Sequence, residues 1–248
     1  MTISYAPLPW LRALDLDGYA IIPDLIDRLR TGELVTSVEA INDRTGVRAR
    51  KSTTYAVRNL LSLVPAVKEL ASSPAIRAIV DPVLGPNARP VRGLLFDKSP
   101  DANWKVAWHQ DLSIAVTKRV EIPGFGPWSE KAGVIHVQPP VSVLEKMVTV
   151  RLHLDDCLDD NGPLQVLPGS HRLGFISSEP IPRLRKQIAP VSCTVRAGGV
   201  VLMRPLILHA SSTASTPSHR RVIHIEYASA DALPAGLEWH VSDEIEVI

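Results

Sequence analysis

Two cysteines, Cys157 and Cys193, are too few in 248 residues to frame a fold with disulfides. Neither belongs to a Cys-x-x-Cys pair, so thiolate-bound zinc is not expected. No sign of charge prevails either: 27 basic residues against 26 acidic ones leave a formal net charge of +1. A nucleic-acid-binding chain usually carries a basic face. The local clusters here, Arg48-Ala49-Arg50-Lys51 and Arg183-Leu184-Arg185-Lys186, have no interleaved aromatics and read as solvated surface. Long apolar runs are also missing, and none reaches the ~18 residues needed to cross a membrane. The opening stretch MTISYAPLPWLRALDLDG lacks the basic-then-apolar order of a signal peptide. There is no internal repeat and no low-complexity tract. A cytoplasmic protein acting on a small molecule, with neither nucleic acid nor membrane as partner, is therefore expected. Composition does not specify an oligomeric state.

What the chain does have is an ordinary globular balance, 45% hydrophobic and 21% charged, enough for one large domain. Twenty-one prolines and fourteen glycines cut it into short segments, which favours many strands over long helices. Residues 1–88 read as a helical N-terminal part. It has an apolar strand before Pro23, a helix over Leu25 to Arg44 with Gly46 past its end, and helices opening at Pro65 and Pro74. Residues 89–230 read as a β core, interrupted by a long stretch at 113–146, and 231–248 as a C-terminal tail. Strand candidates are Val91 to Asp97, Trp104 to Leu112, Met147 to Leu154, Leu164 to Leu167, Val191 to Arg196, Val200 to Arg204, Leu206 to Ser211 and Arg220 to Ala228. Asn161-Gly162 is a hairpin signal that would fold the strand at Leu164 back on its predecessor. The stretch 117–144 reads as long and irregular, is too apolar for disorder, and is expected to form a lid or pocket wall. The fold class expected is mainly β with flanking helices (α+β), a sandwich or barrel buttressed by the N-terminal helices.

The chemistry centres on Trp108-His109-Gln110-Asp111. Side chains two apart share a face of an extended strand, so His109 and Asp111 can meet one metal ion. With one more histidine they form a facial triad that leaves positions open, the arrangement suited to non-haem Fe(II). His-x-Asp alone is common by chance. Of eight histidines, His209 suits the third place, since it follows an apolar run and precedes the small residues Ala210, Ser211 and Ser212. His224, within the strand Arg220 to Ala228, is the competitor.

These residues, with Asp17-Gly-Tyr-Ala-Ile-Ile-Pro23, the long element Asp160-Asn-Gly-Pro-Leu-Gln-Val-Leu-Pro-Gly-Ser-His171 and the segment His209 to Arg220, resemble the phytanoyl-CoA dioxygenase family of Fe(II)/2-oxoglutarate-dependent oxygenases. The segments span most of the chain in the family's order, and the element at 160–171 is the most specific. The resemblance implies a double-stranded β-helix (jelly-roll, cupin-like) core with His109, Asp111 and His209 as iron ligands. It implies Arg220 as the anchor for the distal carboxylate of 2-oxoglutarate, assisted by Ser211, and O2 as the oxidant. It also implies that Asp111 disfavours halogenation, because related halogenases have a small residue there. Hydroxylation of a small molecule, with release of succinate and CO2, is the expected outcome. Desaturation, epimerisation or ring formation at the same centre, and a non-catalytic metal-binding jelly roll, are alternatives.

A guanidinium offers a planar fork of donors that matches a carboxylate and stays charged at working pH. Period two puts Arg220 with Val222, His224 and Glu226, and Arg221 with the more apolar set Ile223, Ile225 and Tyr227. Arg220 can face inward only if helices cover that apolar set, so pattern alone leaves Arg220 and Arg221 open. Lys98, Thr149 and Arg151 are further candidates for the 2-oxoglutarate or substrate pocket. Arg58, Trp128, His136 and Gln138 are candidates on the substrate side. His171 reads as a turn residue.

Overall fold

The computed structural model describes residues 8–41, 47–50 and 53–240. Gly46, expected just past a helix, Lys51 of the first basic cluster and the tail beyond residue 240 lie outside them.

The helical part begins with α1 (Pro9–Asp17), which Pro9 opens and Gly18 closes in the left-handed conformation at φ 82°. Strand β1 (Tyr19–Ile22) follows. Helix α2 (Arg28–Glu39) is shorter than the apolar spacing suggests: Asp27 caps it by accepting from the Arg30 N–H at 2.8 Å. A hairpin of β2 (Val47–Arg50) and β3 (Thr53–Val57) leads to α3 (Leu60–Leu63), α4 (Pro65–Ala71) and α5 (Pro74–Leu84). Prolines occupy the first turns of α4 and α5, as expected.

The β part contains β4 (Arg89–Lys98), β5 (Val106–His109) and β6 (Ile114–Val116), then β7 (Trp128–Lys131) and β8 (Val134–Val137). The short helix α6 (Val141–Leu144) precedes β9 (Met147–His153) and β10 (Leu164–Val166). Helix α7 (Ile181–Gln187) and strands β11 (Val191–Cys193), β12 (Val200–Met203), β13 (His209–Ser211) and β14 (Arg220–Ala228) follow. The strands make a seven-stranded sheet (β1-β12-β9-β14-β4-β3-β2), a four-stranded sheet (β11-β10-β13-β5) and a three-stranded sheet (β6-β8-β7), every pairing antiparallel.

Parity explains how these layers pack. Val148, Val150 and Leu152 of β9, Val200 and Leu202 of β12, and Ile223, Ile225 and Tyr227 of β14 share one buried cluster with residues of α1 to α5. The helices therefore cover the outer face of the large sheet, and the apolar set of β14 lies beneath them. The opposite parity (Thr149, Arg151 and His153; Arg220, Val222, His224 and Glu226) turns inward toward the four-stranded sheet, where Val201 and Met203 pack with Leu164, Val166 and Cys193. Along β9 and β14 the polar residues face inward and the apolar ones outward, because there the jelly-roll interior is a site; toward β10, β11 and β12 it is an apolar core.

Tyr227 pins the two layers together by donating its buried hydroxyl to the Ala71 carbonyl at 2.9 Å. Tyr227→Phe strands that acceptor, so we expect a loss of about 1–2 kcal/mol in urea unfolding with little change in m-value.

Three expectations are corrected. First, β10 does not fold back on β9; it pairs with β11 and β13. Asn161-Gly162 carries the chain between sheets, and Gly162 at φ 58° has no room for a Cβ, which would lie 2.6 Å from the Ser212 carbonyl oxygen. Secondly, the stretch at 117–144 is not irregular, since β7, β8 and α6 lie in it and β6 precedes it. Thirdly, β5 ends at His109, so His109 and Asp111 do not share a strand face. Asp111 is held beyond the strand by its N–H bond to the Pro205 carbonyl at 3.0 Å. His171 sits in a 3-10 turn with Nε2 3.3 Å from the Asp15 carbonyl, beside Gly18, in keeping with a turn residue.

Candidate active site

Register brings the histidines together. In the β13–β5 pair, His209 stands opposite His109, with ring centroids 4.2 Å apart. Each ring places Nδ1 against a backbone carbonyl two residues earlier, Ala107 at 2.8 Å and Ile207 at 2.9 Å. An Nδ1–H bond of this kind leaves the Nε2 lone pair available for a metal. Both Nε2 atoms point at Asp111, at 3.7 Å from its Oδ1 (His109) and Oδ2 (His209). One ligand atom from each residue lies within 4.8 Å of the others. Oδ2 of Asp111 is buried with no hydrogen-bond partner, which a buried carboxylate oxygen does not tolerate without compensation. Burial pushes Asp111 up, but His209, His224, His109 and Arg151 outweigh it and hold the carboxyl at about 2. Burial lowers His209 to about 4 against the pull of Asp111. An ionised Asp111 carboxylate and a neutral His209 imidazole are the forms a divalent cation needs. The donor set fits Fe(II).

Gln110, between the two ligands, clamps the segment. Its amide nitrogen donates to the Gly174 and Leu206 carbonyls at 2.8 and 2.6 Å, and its oxygen accepts from the Ile176 N–H at 2.8 Å. This role is not legible in sequence, because its partners lie 64 to 96 residues away.

The triad opens into a cavity of about 400 Å³ whose lining includes Arg58, Arg92, Phe96, Lys131, Arg151, Ser211, Arg220, His224 and Glu226. That is within the usual range for a small-molecule site. At one end, Arg220 stands opposite Lys98 in register. Lys98 donates to the Ser211 hydroxyl at 3.0 Å and to the Ser212 carbonyl, and Arg220 donates to the Gly162 carbonyl. Nε of Arg220 and Nε of Arg151 are buried without partners. Burial first, then the neighbouring Arg220, lowers Lys98 to about 7 and Arg151 to about 10. Three cations squeezed together in this way form a cradle for an anion. Arg221 points the other way, to the outer face, and is paired with Asp155 at 2.6 Å and with Glu39.

Farther along the same face, Arg151 Nη1 lies 2.8 Å from His224 Nδ1, and His224 Nε2 lies 3.5 Å from Glu226 Oε1. Glu226 in turn pairs with Arg92 at 3.1 Å. His224, the competitor for the third ligand place, thus belongs to a side-chain chain across the sheet and not to the triad. Arg92, Lys131 and Glu226 carry no motif in sequence. Glu226 and Arg92 meet only because β14 and β4 pair across 134 residues.

Of the other residues singled out, Arg58 and Arg151 line the cavity. His136 is buried beside it, in a small adjoining recess that Arg58, Arg92 and Lys131 share, with Nδ1 on the Val134 carbonyl at 2.9 Å. Trp128 packs among the apolar residues behind the three-stranded sheet, and the Gln138 backbone bonds to Gly126 and Pro127. Neither lines the cavity. Thr149 is buried on the inward face with its hydroxyl unpartnered.

Comparison with known proteins places this architecture. Residues 14–222 match the phytanoyl-CoA dioxygenase (PhyH) family. A curated relative, the L-proline trans-4-hydroxylase of Streptomyces griseoviridis, is 26% identical over 135 residues, 44% of this chain and 50% of that protein. The chain thus matches half the length of that relative. Among solved structures, EctD from S. alaskensis superposes with a TM-score of 0.69 at 18% identity, covering 92% of this chain and 80% of that one. The non-heme alpha-ketoglutarate-dependent epimerase SnoN from nogalamycin biosynthesis gives 0.68 at 20%, covering 89% and 80%. The carbocyclase SnoK from the same biosynthesis gives 0.68 at 18%, covering 93% and 87%. These likenesses show a shared fold. Among the described residues no helix is long and apolar enough to cross a membrane. The family match over 14–222 joins the jelly roll and its His-Asp-His cluster in one conclusion: this chain belongs to the phytanoyl-CoA dioxygenase family.

Proposed function

We propose that this protein is an Fe(II)- and 2-oxoglutarate-dependent oxygenase that hydroxylates a small molecule. The observation that carries the reading is the meeting, in one cavity, of the His109-Asp111-His209 cluster with Ser211 and Arg220, the Ser211 hydroxyl being bonded in turn by the buried Lys98. Iron bound there, with 2-oxoglutarate and O2, supplies the oxidising power that turns a C–H bond into C–OH while releasing succinate and CO2. His109, Asp111 and His209 hold the metal. Gln110 and the two Nδ1 bonds fix the directions of the ligands. Arg220 holds the distal carboxylate of 2-oxoglutarate through its planar fork, with Ser211 and Lys98 beside it. Arg151, Arg58 and Lys131 of the three-stranded sheet wall the substrate side, and Phe96 and Leu164 help to keep water out. Relatives named as a hydroxylase, an epimerase and a carbocyclase indicate that reaction outcome varies on this scaffold. The retained carboxylate at position 111 supports hydroxylation over halogenation. An action in the cytoplasm is part of the same proposal.

The reading is tested by following succinate from 2-oxoglutarate in the presence of candidate substrates. Formation must require both Fe(II) and O2 and must rise when a true substrate is added. Metal binding with no substrate-stimulated succinate from any candidate favours the non-catalytic jelly roll instead.

Lys98 predicts a pH dependence. Its ammonium titrates near 7 because burial and Arg220 depress it. Raising pH through that value removes one cradle charge, so 2-oxoglutarate affinity falls roughly tenfold between pH 6 and 9, the worth of about one charge-assisted hydrogen bond. Lys98→Met should bind weakly at both ends and flatten the profile. Unchanged affinity across this range in the wild type counts against a role for Lys98.

A further inference from the structure

The cavity lining is far from neutral. Among the described residues, five cations (Arg58, Arg92, Lys131, Arg151 and Arg220) face two carboxylates, Asp111 and Glu226. Under the oxygenase reading, on which this inference rests, Fe(II) and dianionic 2-oxoglutarate cancel one another. The positive surplus therefore remains for a third component, and it persists even if Arg58 is set aside.

The surplus is also in the wrong place to serve the co-substrate. Lys98 and Arg220 stand opposite one another at one end of the β4–β14 pair; Arg92 and Glu226 stand opposite at the other. Lys98 and Arg92 are six positions apart on β4, roughly 20 Å of strand, so the two groups do not close on one carboxylate. The metal ligands face the stretch between them, where His224 and Arg151 contribute to the field on Asp111. Lys131 reaches this remote end from β7, on a different sheet, and its ammonium is lowered by burial, then by Arg92 and Arg58, with Glu226 opposing. The stretch at 113–146 thus delivers a cation to a place already rich in them. Arg92 already engages Glu226, so a further cation placed beside that pair costs stability unless another anion joins it.

We propose that the substrate of this site carries an anionic group, a carboxylate or a phosphate, held by Arg92 and Lys131 at the cavity end remote from Arg220. Arg58 borders the same end, and Glu226 there keeps Arg92 oriented through their 3.1 Å pair. The substrate then lies with its charged group on the β4–β7 side and its reacting carbon toward the triad.

The test is equilibrium binding under anaerobic conditions to protein loaded with Fe(II) and 2-oxoglutarate. The probes are a panel of amino and hydroxy acids, their primary amides, and phosphate monoesters of matched size, read by perturbation of the iron–2-oxoglutarate charge-transfer band. A response from acids or from phosphates, with none from the amides, supports the proposal, and the responding set identifies the anion. Arg92→Met and Lys131→Met should each weaken the responding probe by about 10- to 100-fold, as loss of a charge-assisted contact does, and Lys131→Arg should restore most of it. If Arg92→Met fails to fold because Glu226 is orphaned, Lys131→Met decides alone. Equal response to the amides, no response to any anion, or unchanged affinity in Lys131→Met overturns the proposal. Absence of the band itself counts against the oxygenase reading instead. Anion binding is then read as a thermal shift of the metal-free protein, present in wild type and lost in Lys131→Met if the proposal holds.

Discussion

Arg220→Met is expected to weaken 2-oxoglutarate binding by roughly 30- to 5000-fold, because truncating one partner of a buried, hydrogen-bonded charge pair costs about 2–5 kcal/mol. The reason is positional. Arg220 is 4% exposed, opens β14 on its inward face opposite Lys98, and shares its end of the cavity with Ser211, which Lys98 bonds. Arg220→Lys should recover only part of the loss, since an ammonium keeps the charge but not the fork. The neighbouring residue is the control. Arg221 lies on the outer face, bonded to Asp155 and Glu39, so Arg221→Met should leave 2-oxoglutarate affinity intact and lower unfolding stability by about 1.5–3 kcal/mol. Calorimetric titration of the metal-loaded protein separates the two variants. The reverse pattern, with Arg221 controlling affinity, would show the anchor to be misassigned.

His209→Ala has the second large effect. It removes one of three protein ligands and leaves His109 and Asp111 on a cation that prefers more donors. Loss of mere supporting groups around a metal typically lowers affinity by about 10–100-fold, so loss of a ligand should exceed the upper end of that range. His224→Ala is the informative comparison. That ring is equally buried, at 3% exposure for each, yet it bonds to Arg151 and Glu226 and not to the cluster. Its removal should spare iron stoichiometry. Metal content after gel filtration, measured for both variants, distinguishes a ligand from a buried neighbour.

Much of this site is legible in sequence, and the parts that are not have physical causes. The strand Arg220 to Ala228 is read to the residue, since nine consecutive strand-forming residues are bounded by a serine-rich loop. His-x-Asp is visible as a pair, but its stated reason fails: the strand stops at His109, and a backbone bond to Pro205 positions Asp111 instead. Arg220 and Arg221 cannot be ranked from parity alone, because the more apolar face of β14 packs under helices and the polar face lines the interior. Asn161-Gly162 misleads as a hairpin because the turn that Gly162 permits joins two sheets, and that choice is made by the long-range pairing of β10 with β13. The remote cations are the least legible. Arg92 and Lys131 stand in unremarkable strands, and only the assembly of separate sheets brings them to one cavity.

The central claim is that one cavity holds iron on His109, Asp111 and His209 and 2-oxoglutarate between that iron and Arg220. The most direct test is an anaerobic titration of Fe(II)-loaded protein with 2-oxoglutarate, watched in the visible range. The account predicts a metal-to-ligand charge-transfer band that saturates at one 2-oxoglutarate per bound iron, needs far more 2-oxoglutarate in Arg220→Met, and is lost in His209→Ala. Iron-loaded wild-type protein that shows no such band would contradict it.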